Sequence, residues 1–239
     1  MSKNEIKKEE DYLSSHYITR SNWLRAAVLG ANDGILSTTS IAIGVAVAST
    51  SREPVILATI AGLVAGALSM AAGEYVSVSS QTDVEKADIE REKQELEDMP
   101  ELELERLTEI YEKRGLTRET ASQVAKELTE HDALEAHVRD ELGINEISAA
   151  NPMQAALASG VAFTFGGVLP LLVALFMPLQ SLAYALYGFA IVFLIILGAI
   201  SARTGGSSIY KAVLRVTFWG TVAMGITAFV GHLFNVNVG

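Results

Sequence analysis

The acidic residues of this chain are concentrated in one internal segment. Of its 28 Asp and Glu residues, 21 lie between Gln81 and Ala150, and none follows Glu146. The sequence on either side of this segment is strongly apolar and carries few charges. Such segregation is typical of a membrane protein that carries a charged, water-exposed insert, and it argues against a single large soluble domain.

Five apolar stretches are each long enough to cross a hydrocarbon core, which needs about 20 helical residues. They are Trp23–Ser49, Val55–Ser80, Met153–Phe176, Ser181–Ala202 and Ala212–Phe234. The predicted fold class is therefore all-α, a polytopic membrane protein with five transmembrane helices and a cytoplasmic three-helix acidic domain inserted between helices 2 and 3. The predicted divisions are a cytoplasmic segment over 1–22, transmembrane helices 1 and 2 over 23–82, the acidic helical domain over 83–150, and transmembrane helices 3 to 5 over 151–239.

The distribution of Lys and Arg predicts how the chain crosses the membrane. Four basic residues precede the first span, whereas the turn over 177–180 and the tail after His232 have none. Because basic residues favour the cytoplasmic side, the N-terminus and the acidic domain are predicted in the cytoplasm and the C-terminus on the opposite side. The first 20 residues lack the apolar core of a secretory signal, so we expect no cleavage there.

Composition also excludes several classes of function. The segment from Gln81 to Ala150 carries nine basic residues against its 21 acids, so it should attract cations and repel nucleic acid. The chain has no cysteine, which removes disulfides and thiolate chemistry. It also has no phosphate-binding Walker loop and no G-x-S-x-G nucleophile motif.

Two carboxylates, Asp33 and Glu74, fall inside the predicted spans. A charge at bilayer depth costs about 2.5–3.5 kcal/mol, so such residues usually serve a function. Met70 precedes Glu74 by one helical turn, and a thioether beside carboxylates suits a divalent transition metal better than Mg²⁺ or Ca²⁺. The alternatives are that Met70 only fills space and that Asp33 only holds helices together by hydrogen bonds.

The acidic insert offers further candidate metal ligands on three predicted helices. These are Glu92 and Glu95, then Glu101, Glu103 and Glu105 after Pro100, and then His131, His137, Asp140 and Glu141. Mixed carboxylate and imidazole ligands from several helices are typical of Fe²⁺, Mn²⁺ and Zn²⁺ sites. For any single Glu, a solvated helix face is the alternative.

Glycines recur at intervals of four in the first two spans. Gly30 and Gly34 share one helix face, and Gly62 and Gly66 share another. Small residues at this spacing allow helix backbones to approach closely in lipid. The pattern leaves open whether they pack helices within one bundle or form a subunit interface.

Four motifs together resemble one known family. They are Asn32-Asp33-Gly34, the run Met70-Ala-Ala-Gly-Glu-Tyr-Val-Ser-Val-Ser-Ser-Gln81, the stretch from Arg91 to Pro100 followed by Glu101-x-Glu103, and Glu141-Leu-Gly-Ile144. With them the chain resembles the vacuolar iron transporter family, which has many prokaryotic members. The resemblance implies five membrane helices, a homodimer with the pore between subunits, and proton-coupled export of Fe²⁺ from the cytosol. It further implies the plasma (inner) membrane of a prokaryote.

The resemblance also implies roles for individual residues. The predicted metal ligands are Asp33, Met70, Glu92, Glu95, Glu103, Glu105, His137 and Glu141. Asp33 and Met70 correspond to the family's pore residues, and Glu74 completes the predicted transport pathway. The chain departs from the family pattern at Arg106, where a second Glu is usual, and at His137-Val138, where a Met-Glu pair is usual. Glu105 and His137 are expected to substitute.

The sequence therefore predicts a proton-coupled exporter of divalent metal, with Fe²⁺ first, Mn²⁺ second and Zn²⁺ a further candidate. Its predicted partners are metal ions, protons, membrane lipid and a second copy of the chain, without a resident cofactor. One alternative is a membrane-anchored metal sensor or buffer that transports nothing. Another is an intramembrane enzyme that uses Asp33 and Glu74 as acid and base, but no nucleophile or closed metal triad accompanies them.

Overall fold

The described part of the chain is entirely helical. The computed structural model describes residues 21–144 and 151–235, with side chains for 24–144 and 151–234. Most of the predicted N-terminal segment, the end of the predicted insert over 145–150 and the last residues over 236–239 lie outside this range. The described residues form seven α-helices, one 3₁₀ helix and no strand, so the predicted all-α fold class is confirmed.

The seven α-helices are α1 (Ser21–Ala48), α2 (Glu53–Asp98), α3 (Pro100–Lys113), α4 (Arg118–Asp140), α5 (Pro152–Phe176), α6 (Leu182–Thr204) and α7 (Ile209–Asn235). A 3₁₀ helix over Leu179–Ser181 precedes α6. Five of the helices, namely α1, α2, α5, α6 and α7, are long and apolar enough to cross a membrane. The five predicted spans are confirmed, although α2 is one helix of 46 residues that continues beyond the apolar stretch ending at Ser80.

The chain divides into two compact units, and α2 contributes to both. Among the described residues, the membrane unit comprises residues 21–75 and 152–235, and the insert unit comprises residues 76–144 and 151. The division falls within α2, whose charged end continues the apolar part of the helix without a break.

The membrane unit has an interior packed from aliphatic side chains of all its helices. Its buried core is formed by Ile35, Ala42, Ile43, Val55, Val173, Ala174, Leu182, Leu186, Ala190, Leu194 and Met224. Its outer surface is also apolar, since Leu57, Phe165 and Phe176 are each exposed over at least 70% of their area. Large exposed apolar side chains on an apolar helix bundle suit a hydrocarbon environment rather than water.

Glycines bring α1 into backbone contact with its neighbours. A side chain at Gly30 would overlap the carbonyl oxygen of Ser159, and one at Gly34 would overlap that of Phe163, both on α5. Gly231 of α7 approaches Gly44 of α1 in the same way. Gly30 and Gly34 therefore pack helices within one chain, which was one of the two roles that their spacing left open.

The insert unit has a smaller core between α3 and α4. Leu107 and Tyr111 of α3 pack against three small residues of α4, Ala121, Ala125 and Ala136. The larger apolar residues Val124 and Leu128 are only partly buried, because α4 presents its alanines to α3 and lets the helices approach closely. Asp132 interrupts α4 with a non-helical backbone, and its carboxylate accepts a hydrogen bond from the Glu135 amide at 2.8 Å.

Candidate transport cleft and metal-binding cluster

A cleft in the membrane unit brings together the three residues predicted for the transport pathway. Asp33 of α1 and Met70 and Glu74 of α2 line the same cleft, whose volume is about 570 Å³. The remaining lining residues are Ser37, Ile41, Gly62, Ala65, Gly66, Ser69, Gly73 and Phe163. Two carboxylates and a thioether therefore face one space along the membrane-spanning part of the chain.

Small residues give the cleft its width and fix Asp33 on its wall. Gly30 and Gly34 hold the backbone of α1 against α5 on either side of Asp33. The Ser37 hydroxyl donates to the backbone carbonyl of Asp33 at 2.5 Å. On α2, a side chain at Gly66 would collide with the Phe163 ring, so the glycine leaves room for this aromatic side chain to line the cleft.

The insert unit holds a separate cluster of potential metal ligands. Glu92, Glu103, His137 and Glu141 each offer one ligand atom, and these atoms all lie within 4.8 Å of one another. Ligand atoms on opposite sides of one ion, with bonds of about 2.1 Å, lie roughly 4.2 Å apart, so the group needs only a slight contraction to bind one ion. The four side chains come from α2, α3 and the end of α4.

Each ligand is positioned by the helix that carries it. Glu103 lies on the buried face of α3, in line with Leu107 and Tyr111 at intervals of four residues. On α4, His137 follows the buried Ala136, and Glu141 caps the helix one turn later. The same packing that buries the α3 and α4 core therefore carries a carboxylate and an imidazole into the interior.

The cluster is buried and its polar atoms are incompletely satisfied. Glu92, Glu103 and His137 are exposed over only 3%, 1% and 0% of their area. His137 Nδ1 lies 2.9 Å from Glu92 Oε1, 3.0 Å from Glu141 Oε2 and 3.8 Å from Glu103 Oε2. One ring nitrogen carries at most one proton, so it cannot donate to three carboxylates.

Among the described residues, Glu103 Oε2 and His137 Nε2 are buried without a hydrogen-bond partner. Glu92 Oε1 is close to His137 Nδ1, but the Nδ1 hydrogen bond is made with Glu141, so this oxygen is unsatisfied as well. Buried polar atoms are normally paired, and an unpaired carboxylate oxygen is costly. A divalent cation would satisfy the carboxylate oxygens, and mixed imidazole and carboxylate ligands suit Fe²⁺, Mn²⁺ or Zn²⁺.

The electrostatics of the cluster agree with its geometry. Glu92 lies beyond the apolar part of α2, and burial raises the pKa of its carboxyl above the usual range. The carboxylates of Glu141, Glu103 and Glu95 raise this pKa further, whereas His137 opposes the shift. Repelling carboxylates held together in a buried site favour whatever cation reaches them, whether a proton or a metal ion.

Comparison with known proteins identifies the family to which the chain belongs. A model of the VIT family matches residues 24–232. The chain belongs to the VIT family. Its helices and this membership make it an integral membrane protein, and since the VIT family consists of transporters, the intramembrane-enzyme alternative is excluded.

Individual VIT relatives match over most of their length. A vacuolar iron transporter of Acanthamoeba castellanii is 46% identical over 214 residues, covering 89% of this chain and 79% of the relative. Vacuolar iron transporter homolog 5 of Oryza sativa subsp. japonica is 36% identical, covering 91% and 83%. Vacuolar iron transporter homolog 2 of Arabidopsis thaliana is 35% identical, covering 92% and 88%.

Two predicted ligands of this VIT chain lie apart from the four-residue cluster. Glu105 pairs instead with Arg118, which also contacts Glu112 at 2.9 Å. Glu95 pairs with Arg91 at 2.8 Å and lies at the edge of the cluster, where Arg106 is 3.6 Å away. Neither Glu95 nor Glu105 contributes to the group of four ligand atoms.

Other insert residues considered from the sequence have different environments. Asp140 accepts hydrogen bonds from Tyr111 at 2.6 Å and from Arg114 at 2.5 Å, so it stabilises the junction of α3 and α4. His131 is exposed on α4. The sequence carries a signal for this group of four, because Glu103 falls on the apolar repeat of α3 where an acid is unexpected.

Proposed function

We propose that this VIT protein exports divalent metal from the cytosol, Fe²⁺ first and Mn²⁺ second, in exchange for protons. The names of its relatives support iron as the substrate. The observation that carries the proposal is the cleft in which Asp33, Met70 and Glu74 meet. A carboxylate held at membrane depth is costly unless it serves the passage of ions.

Each cleft residue has a distinct proposed role. Asp33 binds the metal ion as a carboxylate and binds a proton when the ion leaves, so one group exchanges the two cations. The thioether of Met70 favours transition metals over Mg²⁺ and Ca²⁺, which prefer oxygen ligands. Glu74, one turn further along α2, offers a second carboxylate to an ion that moves along the cleft.

The insert cluster is proposed to collect metal for transport. Glu92, Glu103, His137 and Glu141 would bind one ion, and Glu95 would attract it to the site. The buried carboxylates must lose any bound protons when metal binds, so mild acidification should release the ion. The alternative function, a membrane-anchored metal sensor or buffer, uses the same cluster. It does not explain why the carboxylates of Asp33 and Glu74 line a cleft in the membrane unit.

The orientation of the chain follows from its short loops. With basic residues before the first span and none in the turn over 177–180, the N-terminus and the acidic insert lie in the cytoplasm and the C-terminus lies on the opposite side. The plasma membrane of a prokaryote stays a prediction, and the relatives that carry vacuolar names come from eukaryotes.

The proposed functional unit is a homodimer embedded in lipid. Residues of α2 line the cleft, and the same helix exposes Leu57, Val64 and Leu68 over 70%, 54% and 67% of their area. A second copy of the chain would cover part of this face and close the pathway, while lipid covers the remaining apolar surface.

The decisive experiment is Fe²⁺ flux through the full chain in proteoliposomes under an imposed pH gradient. We expect wild-type flux to rise with the gradient, and Asp33→Asn to reduce it to the rate of protein-free vesicles. Glu53→Gln, which removes a carboxylate at the exposed start of α2, is the matched control and should retain wild-type flux. Metal binding without any flux would instead establish the sensor or buffer.

A further inference from the structure

We propose that Arg106 is an internal counter-cation of the metal cluster, which an arriving metal ion must displace. This inference rests on the proposed metal-binding role of the insert. It assigns a function to the residue at which the chain departs from the expected run of carboxylates, and it makes Arg106 a determinant of metal affinity.

Contacts to three carboxylates carry the inference. Arg106 Nε lies 2.7 Å from Glu141 Oε1, and its Nη1 lies 3.6 Å from both Glu103 Oε1 and Glu95 Oε2. These acids belong to α2, α3 and the end of α4. The guanidinium therefore neutralises part of the charge that the helices of the insert bring together.

The guanidinium and a metal ion would use the same two carboxylates. Glu141 directs Oε1 to Arg106 and Oε2 to His137, and Glu103 has Oε1 near Arg106 while its Oε2 faces His137. As long as Arg106 stays, neither Glu103 nor Glu141 can offer both oxygens to an ion. A positive group beside the site also repels a divalent cation.

Arg106 is the member of this group that can leave. Its side chain is 50% exposed, whereas those of Glu103 and His137 are 1% and 0% exposed. A half-exposed arginine can turn into water without opening the core, because its charge remains hydrated there. The buried ligands have no such freedom.

Two consequences follow for the metal-free and metal-bound protein. Without metal, Arg106 stabilises the acidic cluster and keeps the ligands close together. With metal, its displacement lowers the affinity, so the ion is released more easily than from carboxylates alone. Arg106 is thus a residue that limits affinity, and it is itself no ligand.

The test measures Mn²⁺ binding to the full-length protein by calorimetry, together with thermal unfolding with and without Mn²⁺. The cluster component is defined as the binding that Glu92→Gln/Glu103→Gln removes. Arg106→Gln should tighten this component by about tenfold or more, because it removes like-charge repulsion and frees two oxygens. It should also lower the melting temperature without Mn²⁺ and recover much of that loss with Mn²⁺.

Two further variants distinguish displacement of Arg106 from a general effect of removing a positive charge. Arg106→Lys keeps the positive charge and should bind Mn²⁺ within a few fold of wild type, and it serves if Arg106→Gln folds poorly. Arg118→Gln removes an exposed arginine that pairs with Glu105 and Glu112 away from the cluster, and it should leave the affinity nearly unchanged.

The outcomes are distinguishable. If Arg106→Gln weakens binding, or changes it no more than Arg118→Gln does, Arg106 only positions Glu141 and the inference is overturned. If the wild type itself shows no Mn²⁺ binding that depends on Glu92 and Glu103, the collecting role proposed for the insert fails, and this inference fails with it. Transport through the Asp33 cleft would remain a separate question.

Discussion

His137 Nδ1 lies 2.9 Å from Glu92 Oε1, and both side chains are almost completely excluded from solvent. Their helices are α4 and α2, so the contact joins two elements of the insert unit through polar atoms. Its neighbours Glu103 and Glu141 are acids as well. An interior arranged in this way differs from an ordinary core, since its carboxylates repel one another unless a proton or another cation offsets their charge.

Replacing the two most buried acids tests the cluster directly. Glu92→Gln/Glu103→Gln should abolish saturable Mn²⁺ binding to the insert in calorimetry, because amides are much weaker ligands than carboxylates. Glu119→Gln/Glu130→Gln removes the same charge from exposed positions on α4 and is the control. It should reduce only a diffuse attraction that salt already screens. An equal, salt-dependent loss in both variants would contradict a defined site.

Met70→Leu tests whether the thioether acts on the passing ion. This swap nearly conserves volume and costs less than about 1.5 kcal/mol in packing. We expect Fe²⁺ flux to fall by about tenfold or more while the melting temperature changes little, since losing one ligand interaction of about 1.4 kcal/mol has this effect. Met224→Leu makes the same exchange in the buried core and should keep full flux. Wild-type flux in Met70→Leu would show that Met70 only packs.

Gly34→Ala tests the contact between α1 and α5. The added methyl group would overlap the carbonyl oxygen of Phe163, so the helices must separate. We expect a loss of about 1–3 kcal/mol, the usual cost of overpacking, seen as a lower melting temperature in detergent. Gly188→Ala on α6 meets no atom within 4 Å and should be neutral or slightly stabilising. Equal melting temperatures for the two variants would contradict the close approach.

The junction of α3 and α4 should weaken in acid through Asp140. Burial opposes ionisation of this carboxyl, but hydrogen bonds from Tyr111, Arg114 and Arg139 outweigh it and hold its pKa below the usual range. A lowered folded-state pKa means that the stabilisation is present above the unfolded-state pKa of about 3.9 and disappears as the pH falls through the folded-state value.

Asp140→Asn should therefore cost about 1.5–3 kcal/mol near neutral pH, the usual contribution of a hydrogen bond to a charged group. The difference from wild type should close as the pH falls below about 4. Denaturant unfolding of metal-free protein across this range measures it. A difference that is independent of pH would show that the charge of Asp140 is not what stabilises the junction.

The sequence was sufficient to locate the membrane helices, because each of them is a long apolar run that can be recognised from composition alone. It was also sufficient to indicate Asp33 and Glu74, since a carboxylate stands out in such a run. The cleft required tertiary information, because Phe163 enters it from α5 through the space left by Gly66.

The insert was harder to predict for physical reasons. Charged residues on solvated helices far outnumber candidate ligands. Periodicity sets Glu103 apart from Glu105 by placing it on the apolar repeat of α3, but it does not show which residues the two side chains contact. The first faces the α3 and α4 core and the second pairs with Arg118. Likewise, the pattern of apolar residues does not indicate the interruption of α4 at Asp132, where the carboxylate accepts a hydrogen bond from the Glu135 amide.

The glycine contacts of α1 determine which wall of the cleft can move. Where backbone lies directly on backbone, as at Gly30, Gly34 and Gly44, there are no side chains whose rotamers could change to absorb a displacement. By contrast, Gly62 and Gly66 of α2 face the side chains of Ile41 and Phe163 rather than backbone. If opening and closing alternate during transport, α1 should remain fixed with α5 and α7 as a rigid frame, and the membrane-spanning part of α2 should provide the motion.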